Sequence, residues 1–238
     1  MKGCVFLLFA GYSLVAQPSL KVDKGVVFQL TGDSFSIDSL IMADSSALLL
    51  DNRHSTNLLR ANFVSIGTGC ILSGAGKNGE NGPPGSDGST ALYAAGKAGR
   101  GGFSAVNLVL NFYRIHIESE FQILLIGGSG GNGGIGGNTT QSLSGISPVP
   151  NSTRYNGTQQ GVPGDGGDGG RGGNVTLSFP VEFRELVIQK IKIINTGGDG
   201  GVPAVTNAAI PTRILGSTPA KSGKHGARGK VEFLFLKK

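Results

Sequence analysis

The chain has 238 residues, a formal net charge of +6, 38% hydrophobic residues, no tryptophan and 42 glycines, and its glycine share is more than twice the usual ~7%. Charges of both signs are scattered along it, and Lys and Arg never cluster with aromatic residues. This excludes a single-strand nucleic-acid groove lined by stacking rings and leaves a weak preference for anionic surfaces.

The first residues read as a secretory signal: Lys2, then the apolar stretch from Val5 to Ala16, which is too short to span a bilayer. Residues 1–17 are assigned to this signal peptide and 18–238 to a single elongated domain, with cleavage near Ala16 or Gln17. The expected location is therefore secreted or cell surface. Cys4 falls inside the signal, so Cys70 is the only thiol expected in the mature chain and no intramolecular disulfide can form. A lone cysteine of this kind is expected to be a small buried side chain. No later segment reaches the ~18 consecutive apolar residues of a spanning helix, so no membrane span is expected.

From residue 22 to 72 the chain alternates apolar and polar residues, the period of half-buried strands. Val22 to Leu30 is expected to cap the first exposed edge. Glycines then fall every third residue at Gly76, Gly79, Gly82, Gly85 and Gly88 and resume at Gly96, Gly99 and Gly102. Alternation returns in Val106, Leu108, Leu110 and Phe112 and again in Ile115 and Ile117. A second glycine stretch follows at Gly127, Gly130, Gly133 and Gly136, each doubled by the next residue, and the series continues from Gly161 to Gly173. Val175, Leu177 and Phe179 form another strand pattern. Gly197 and Gly200 precede Gly223, Gly226 and Gly229, and Val231, Phe233 and Phe235 close the chain. No segment shows a helical period.

The strands after the glycine stretches open alike, with Gly99-Arg-Gly-Gly-Phe, Gly170-Arg-Gly-Gly-Asn and Ala227-Arg-Gly-Lys-Val, which marks an internal repeat. A chain with three residues per turn places every third side chain on one edge, and glycine there bares that edge for a neighbouring chain. Doubled glycines bare two edges, as an interior chain needs. The first run reads as Gly-X-Y, but no run exceeds about five triplets and prolines are few, so a collagen triple helix is excluded. The segments between runs are too apolar and regular for a disordered chain.

The predicted fold is all-β: short parallel β-solenoid coils alternating with hairpins of polyglycine II helices packed as a bundle. The hairpins span about 74–102, 127–173 and 197–229, with tips at Ser89 to Ala95, Asn138 to Gln160 and Val202 to Ser222. The strand portions resemble right-handed parallel β-helix proteins of bacterial surfaces. The glycine hairpins resemble the polyglycine II sandwiches of phage tail-tip adhesins and of glycine-rich antifreeze proteins. The adhesin resemblance implies recognition at the tips, and so draws attention to Tyr93, Arg154, Tyr155 and Arg213.

Catalytic chemistry is not expected. His54, His116 and His225 lie apart in sequence without metal-site spacing. Asp165, Asp168 and Asp199 follow glycines as in calcium-binding nonapeptides but lack the apolar residue two places on. Glu118 with Glu120 and Glu182 with Glu185 are the candidates if the chain were a carbohydrate-cleaving β-helix enzyme. No cofactor or metal is expected. The expected function is an extracellular structural or adhesin-like protein whose partners are glycans or cell-surface proteins rather than nucleic acid, with self-association through the solenoid ends. Ice binding is the alternative, and it would need a flat face of regularly spaced small residues or Thr. The third places of the runs hold Lys, Asn, Glu, Asp, Arg and Ile instead.

Overall fold

The computed structural model describes residues 19–87, 95–140, 158–205 and 219–236. These are mostly β, with two parallel sheets and almost no helix. The first sheet orders β1 (Leu20–Val22), β3 (Ser34–Met42), β5 (Thr56–Ile66), β7 (Asn107–Ile117), β11 (Val175–Pro180) and β13 (Val231–Leu236). The second orders β2 (Val27–Gln29), β4 (Ala47–Leu49), β6 (Ile71–Ser73), β8 (Phe121–Leu124) and β12 (Ile191–Ile194). The chain thus passes back and forth between the sheets, laying each strand beside the previous strand of the same sheet.

Alternation in the sequence becomes burial between the sheets. Leu40, Leu59, Val64, Leu110, Leu177 and Phe179 of the first sheet and Leu48, Leu72 and Ile123 of the second are at most 2% exposed. Register stacks like on like, Leu59 beside Leu110 beside Leu177, and Leu48 beside Leu72 beside Ile123. Each such side chain contributes about 1.5–3 kcal/mol by leaving water. Cys70 is fully buried in this core, its Sγ 3.2 Å from the Ala43 carbonyl oxygen.

The three longest strands turn a corner. Burial steps from Ile37 to Leu40, from Ala61 to Val64 and from Phe112 to Ile115, with two outward residues between each pair. Asp38, Asn62 and Tyr113 drop out of the pairing at those points, and Asn62 Nδ2 donates to Asp38 Oδ1 at 2.9 Å. Since alternate residues share a face, two outward residues in succession reverse the phase and re-aim the strand.

The links from β1 to β2, β3 to β4 and β5 to β6 repeat one turn, with Gly25 (φ 68°), Ser45 (φ 56°) and Gly69 (φ 68°) in the left-handed region. The turns stack through Gly25 N donating to Asp44 O at 3.0 Å and Ser45 N to Thr68 O at 2.8 Å. Between β11 and β12 the turn is replaced by a 3₁₀ turn (Val181–Phe183) and a helix, α1 (Arg184–Lys190). This corrects the sequence reading, which finds no helix. Two turns of helix with Val187 as the one buried residue are too short to print a period. Lys190 Nζ ties the helix to the preceding strands by donating to the Ile117 and Glu118 carbonyls, both at 2.8 Å.

Val22 to Leu30, expected to cap the first edge, holds the last residue of β1, the turn at Gly25 and β2, with Val22 and Leu30 buried. At the opposite edge β13 pairs, among the described residues, only with β11, and Val231, Phe233, Leu234 and Phe235 are 37–43% exposed. Phe179 holds Phe233 and Phe235 edge-on at centroid distances of 6.3 and 5.4 Å. Among the described residues no helix is long and apolar enough to cross a membrane.

Candidate functional site

The glycine-rich segments leave the sheets as six extended runs, residues 74–87, 95–106, 125–137, 161–174, 195–205 and 219–230, numbered first to sixth. The first, third and fifth leave the second sheet. The second, fourth and sixth lead back into the first sheet.

One rule governs their backbone bonds. Each run donates to the run before it and to the run two after it. Lys97, Arg100 and Phe103 of the second run donate to Pro83, Glu80 and Lys77 of the first, at 2.9–3.1 Å, while Gly96, Gly99 and Gly102 donate to Val162, Asp165 and Asp168 of the fourth, at 2.8–2.9 Å. In the third run Gly128, Gly131 and Gly134 donate back to Phe103, Arg100 and Lys97, and Gly127, Gly130 and Gly133 donate forward to Thr196, Asp199 and Val202. The fourth run repeats both series. Neighbours two apart run parallel and consecutive runs antiparallel. Extended backbone of this kind has no internal partner for its amides, so the bonds must cross between runs.

Glycine marks the contacts. An added Cβ at Gly127, Gly130 or Gly133 would strike carbonyls of the fourth run, and at Gly128, Gly131 or Gly134 carbonyls of the first. A run therefore needs glycine toward the run after it and toward the run two before it. The third, fourth and fifth runs have both neighbours and carry doubled glycines. The first and second lack an earlier partner and the sixth a later one, and each needs only a single series. The freed series hold Lys77, Glu80 and Pro83, then Lys97, Arg100 and Phe103, then Ser222, His225 and Arg228. Four of the five prolines in the runs, Pro83 and Pro84 of the first, Pro203 of the fifth and Pro219 of the sixth, stand where the rule supplies no acceptor, so their missing N–H leaves nothing unpaired, whereas Pro163 of the fourth falls in the donating series of Gly166 and Gly169.

The remaining third places carry a side-chain ladder that sequence reasoning missed. Asn78 and Asn81 accept from the Ser129 and Asn132 amides at 2.9 and 2.8 Å, and Asn132 accepts from Val202 at 3.1 Å. Asp165 and Asp168 accept from Lys221 and Lys224 at 2.7 Å each, and Asn107 and Asn174 continue the ladder to Asn174 and Lys230 at 2.9 and 2.8 Å. The signal was the recurrence of Asn and Asp at triplet spacing, which points to calcium only when read without its neighbours.

Tyr93, Arg154, Tyr155 and Arg213 lie outside the described residues. At the base of the longest tip, β9 (Asn138–Thr140) pairs antiparallel with β10 (Thr158–Gln160). Glu120 meets Gln122 Nε2 at 2.8 Å and Lys192 Nζ at 3.7 Å, while Glu182 lies in the 3₁₀ turn and Glu185 in α1. His54 sits 3.8 Å from Asp33 and 4.0 Å from Asp51, and His225 3.2 Å from Asp199. His116 projects outward from β7. Among the described residues no three His, Cys, Asp or Glu side chains gather as a metal site.

The most perturbed charge lies where the sheets meet the glycine-rich runs. Asp51 is 5% exposed; its Oδ2 accepts from Arg53 Nη2 at 2.6 Å and Gly32 N at 2.9 Å, and its Oδ1 from Arg53 N at 3.0 Å. The Arg53 guanidinium, helped by these amides and opposed by burial, holds the carboxyl well below the usual carboxylate range. Next to this pair, between the 52–55 loop and the roots of the returning runs, a cleft of about 640 Å³ opens. A scan of protein-family models, a search of curated proteins and a search of solved structures each find no match to this chain.

Proposed function

We propose that this chain is a secreted, non-enzymatic structural or adhesin-like protein. In this reading the strands wind as a short β-solenoid, the glycine runs are polyglycine II helices packed as a bundle, and the hairpin tips present the surface that meets extracellular glycans or cell-surface proteins. The observation that carries the reading is the bonding rule of the six runs. The third and fourth runs each bond to four others, so the described parts of the three hairpins brace one another.

This is costly architecture for a linker and well suited to presentation, because loops on a rigid support lose less conformational freedom on binding than free ones. Gly76, Gly79 and Gly82 face inward against the second run. The outward places of the border runs carry Lys77, Glu80, Lys97 and Arg100 rather than a regular plane of Thr, which disfavours ice binding.

The test replaces residues 141–157 with Asn-Gly, a two-residue turn suited to the β9–β10 pair. Binding to a glycan array and to cells should fall to background while the thermal transition stays within a few degrees of the parent. Unchanged binding by a folded variant would overturn recognition at this tip, and thermal hysteresis in the parent protein would turn the assignment toward ice.

A further inference from the structure

The cleft between the 52–55 loop and the roots of the returning runs is lined by no residue of the hairpin tips. Its floor is the end of the side-chain ladder. Asn107 Oδ1 and Asn174 Oδ1 each accept a backbone amide, so the amino group of each carboxamide turns outward with no acceptor among the described residues. Beside them stand Arg171 and Lys230, neither of which has an acid within ion-pair distance among the described residues. Arg228 spends one N–H on the neutral Asn195 Oδ1 at 3.2 Å, which leaves its charge uncompensated. Arg53 forms the far wall, and no Asp or Glu lines the cleft.

The formal charges lining the cleft are therefore all positive, with the amino groups of Asn107 and Asn174 beside them. Such a surface accepts anions, and arginine matches carboxylate or sulfate oxygens two at a time. The shape points to a chain rather than a single ion. Ser55, Asn107, Asn174 and Lys230 sit on successive rungs of the first sheet, a stretch of about 14 Å at the usual strand spacing. A second cavity of about 440 Å³ adjoins, shares Asn52, Arg53 and Ser104, and adds Lys77 and the Phe103 ring, which is 65% exposed. Asp51 also lines that extension, but its carboxylate is taken up by Arg53.

A lone exposed ring beside a row of cations suits the C–H face of one sugar in a charged chain. A single-stranded nucleic acid would need a ring for each successive base. We propose that this groove binds an anionic polysaccharide along the stacking direction of the strands, seating its carboxylate or sulfate groups on Arg171, Arg228 and Lys230.

The test measures binding of the protein to heparin, polygalacturonate, neutral dextran and single-stranded DNA by biolayer interferometry at two salt concentrations. Both polyanionic glycans should bind, more weakly at high salt, and dextran should not. Preference for heparin would assign the contacts to sulfate, and equal binding would assign them to carboxylate. Arg171→Gln with Lys230→Gln should lower affinity about tenfold or more, whereas Lys21→Gln with Lys24→Gln, an equal charge change on the first coil, should leave it within about twofold. Circular dichroism of each variant checks that it is folded, and replacing residues 141–157 should leave this binding intact, which separates it from tip recognition. Equal losses in the two double variants, DNA binding as tight as glycan binding, or no binding to either polyanion would overturn the proposal.

Discussion

Asp51 is the side chain on which pH should act most visibly. Its carboxyl is held low in the folded chain by Arg53 and the nearby amides, so its stabilisation is complete above the unfolded value of about 3.9 and drains away as pH falls toward the folded one. Asp51→Asn should cost about 1–3 kcal/mol at neutral pH in urea unfolding, and the gap from the parent should close as the pH drops below about 4. A gap unchanged at pH 3 would mean that shape rather than charge is what Asp51 supplies. Glycines offer a second comparison at this scale. Alanine at Gly131 would drive its Cβ into the Glu80 carbonyl, whereas alanine at Gly101 would meet only Asp168 O at 3.4 Å. Gly131→Ala is expected to destabilise by about 1–3 kcal/mol or more. Gly101→Ala should be near neutral, or stabilising by about 0.4–1 kcal/mol through the unfolded chain.

Among the elements, the glycine runs were the most legible in sequence. Their period of three and the doubling of glycine in the middle runs are written at Gly127 to Gly137 and in the later runs, and the doubling follows the number of neighbours. The corner in β7 was legible too, since the apolar series steps from Phe112 to Ile115 and changes parity there. Helix α1 was not, because seven residues with a single buried side chain carry too little pattern. The ladder of Asn and Asp escaped because its partners lie 51 to 70 residues away, and the basic cleft for the same reason: Arg53, Arg171 and Lys230 become neighbours only through strand register. The runs supply their own test. His225 stands where the bonding rule gives its amide no acceptor, while the Lys224 amide donates to Asp168 Oδ1 at 2.7 Å. If the sixth run is a polyproline-type thread, His225→Pro should leave the melting temperature unchanged or raised, and Lys224→Pro should lower it. Equal damage from both would count against such a backbone.

For the whole molecule, the two open ends of the sheets are unlike. One ends in β1 with Lys21 exposed, the other in β13 with apolar side chains left over. Exposed strand edges of the second kind invite pairing, so Phe235→Lys, which places a charge on that end, should reduce any concentration-dependent association seen in sedimentation velocity. No effect on an associating sample would exclude this end as the contact. The glycine runs, by contrast, are bordered by side chains. Ser222, His225 and Arg228 occupy the face a seventh run would need, and at the start an added hairpin would need the faces held by Lys97, Arg100 and Phe103 of the second run and by Lys77, Glu80 and Pro83 of the first. A lineage that lengthened this protein by inserting a hairpin at either margin would first have to strip those side chains to glycine, whereas a hairpin duplicated in the middle would find both of its faces already bare. Growth by internal copying, with the margins carried along unchanged, is the route the packing leaves open.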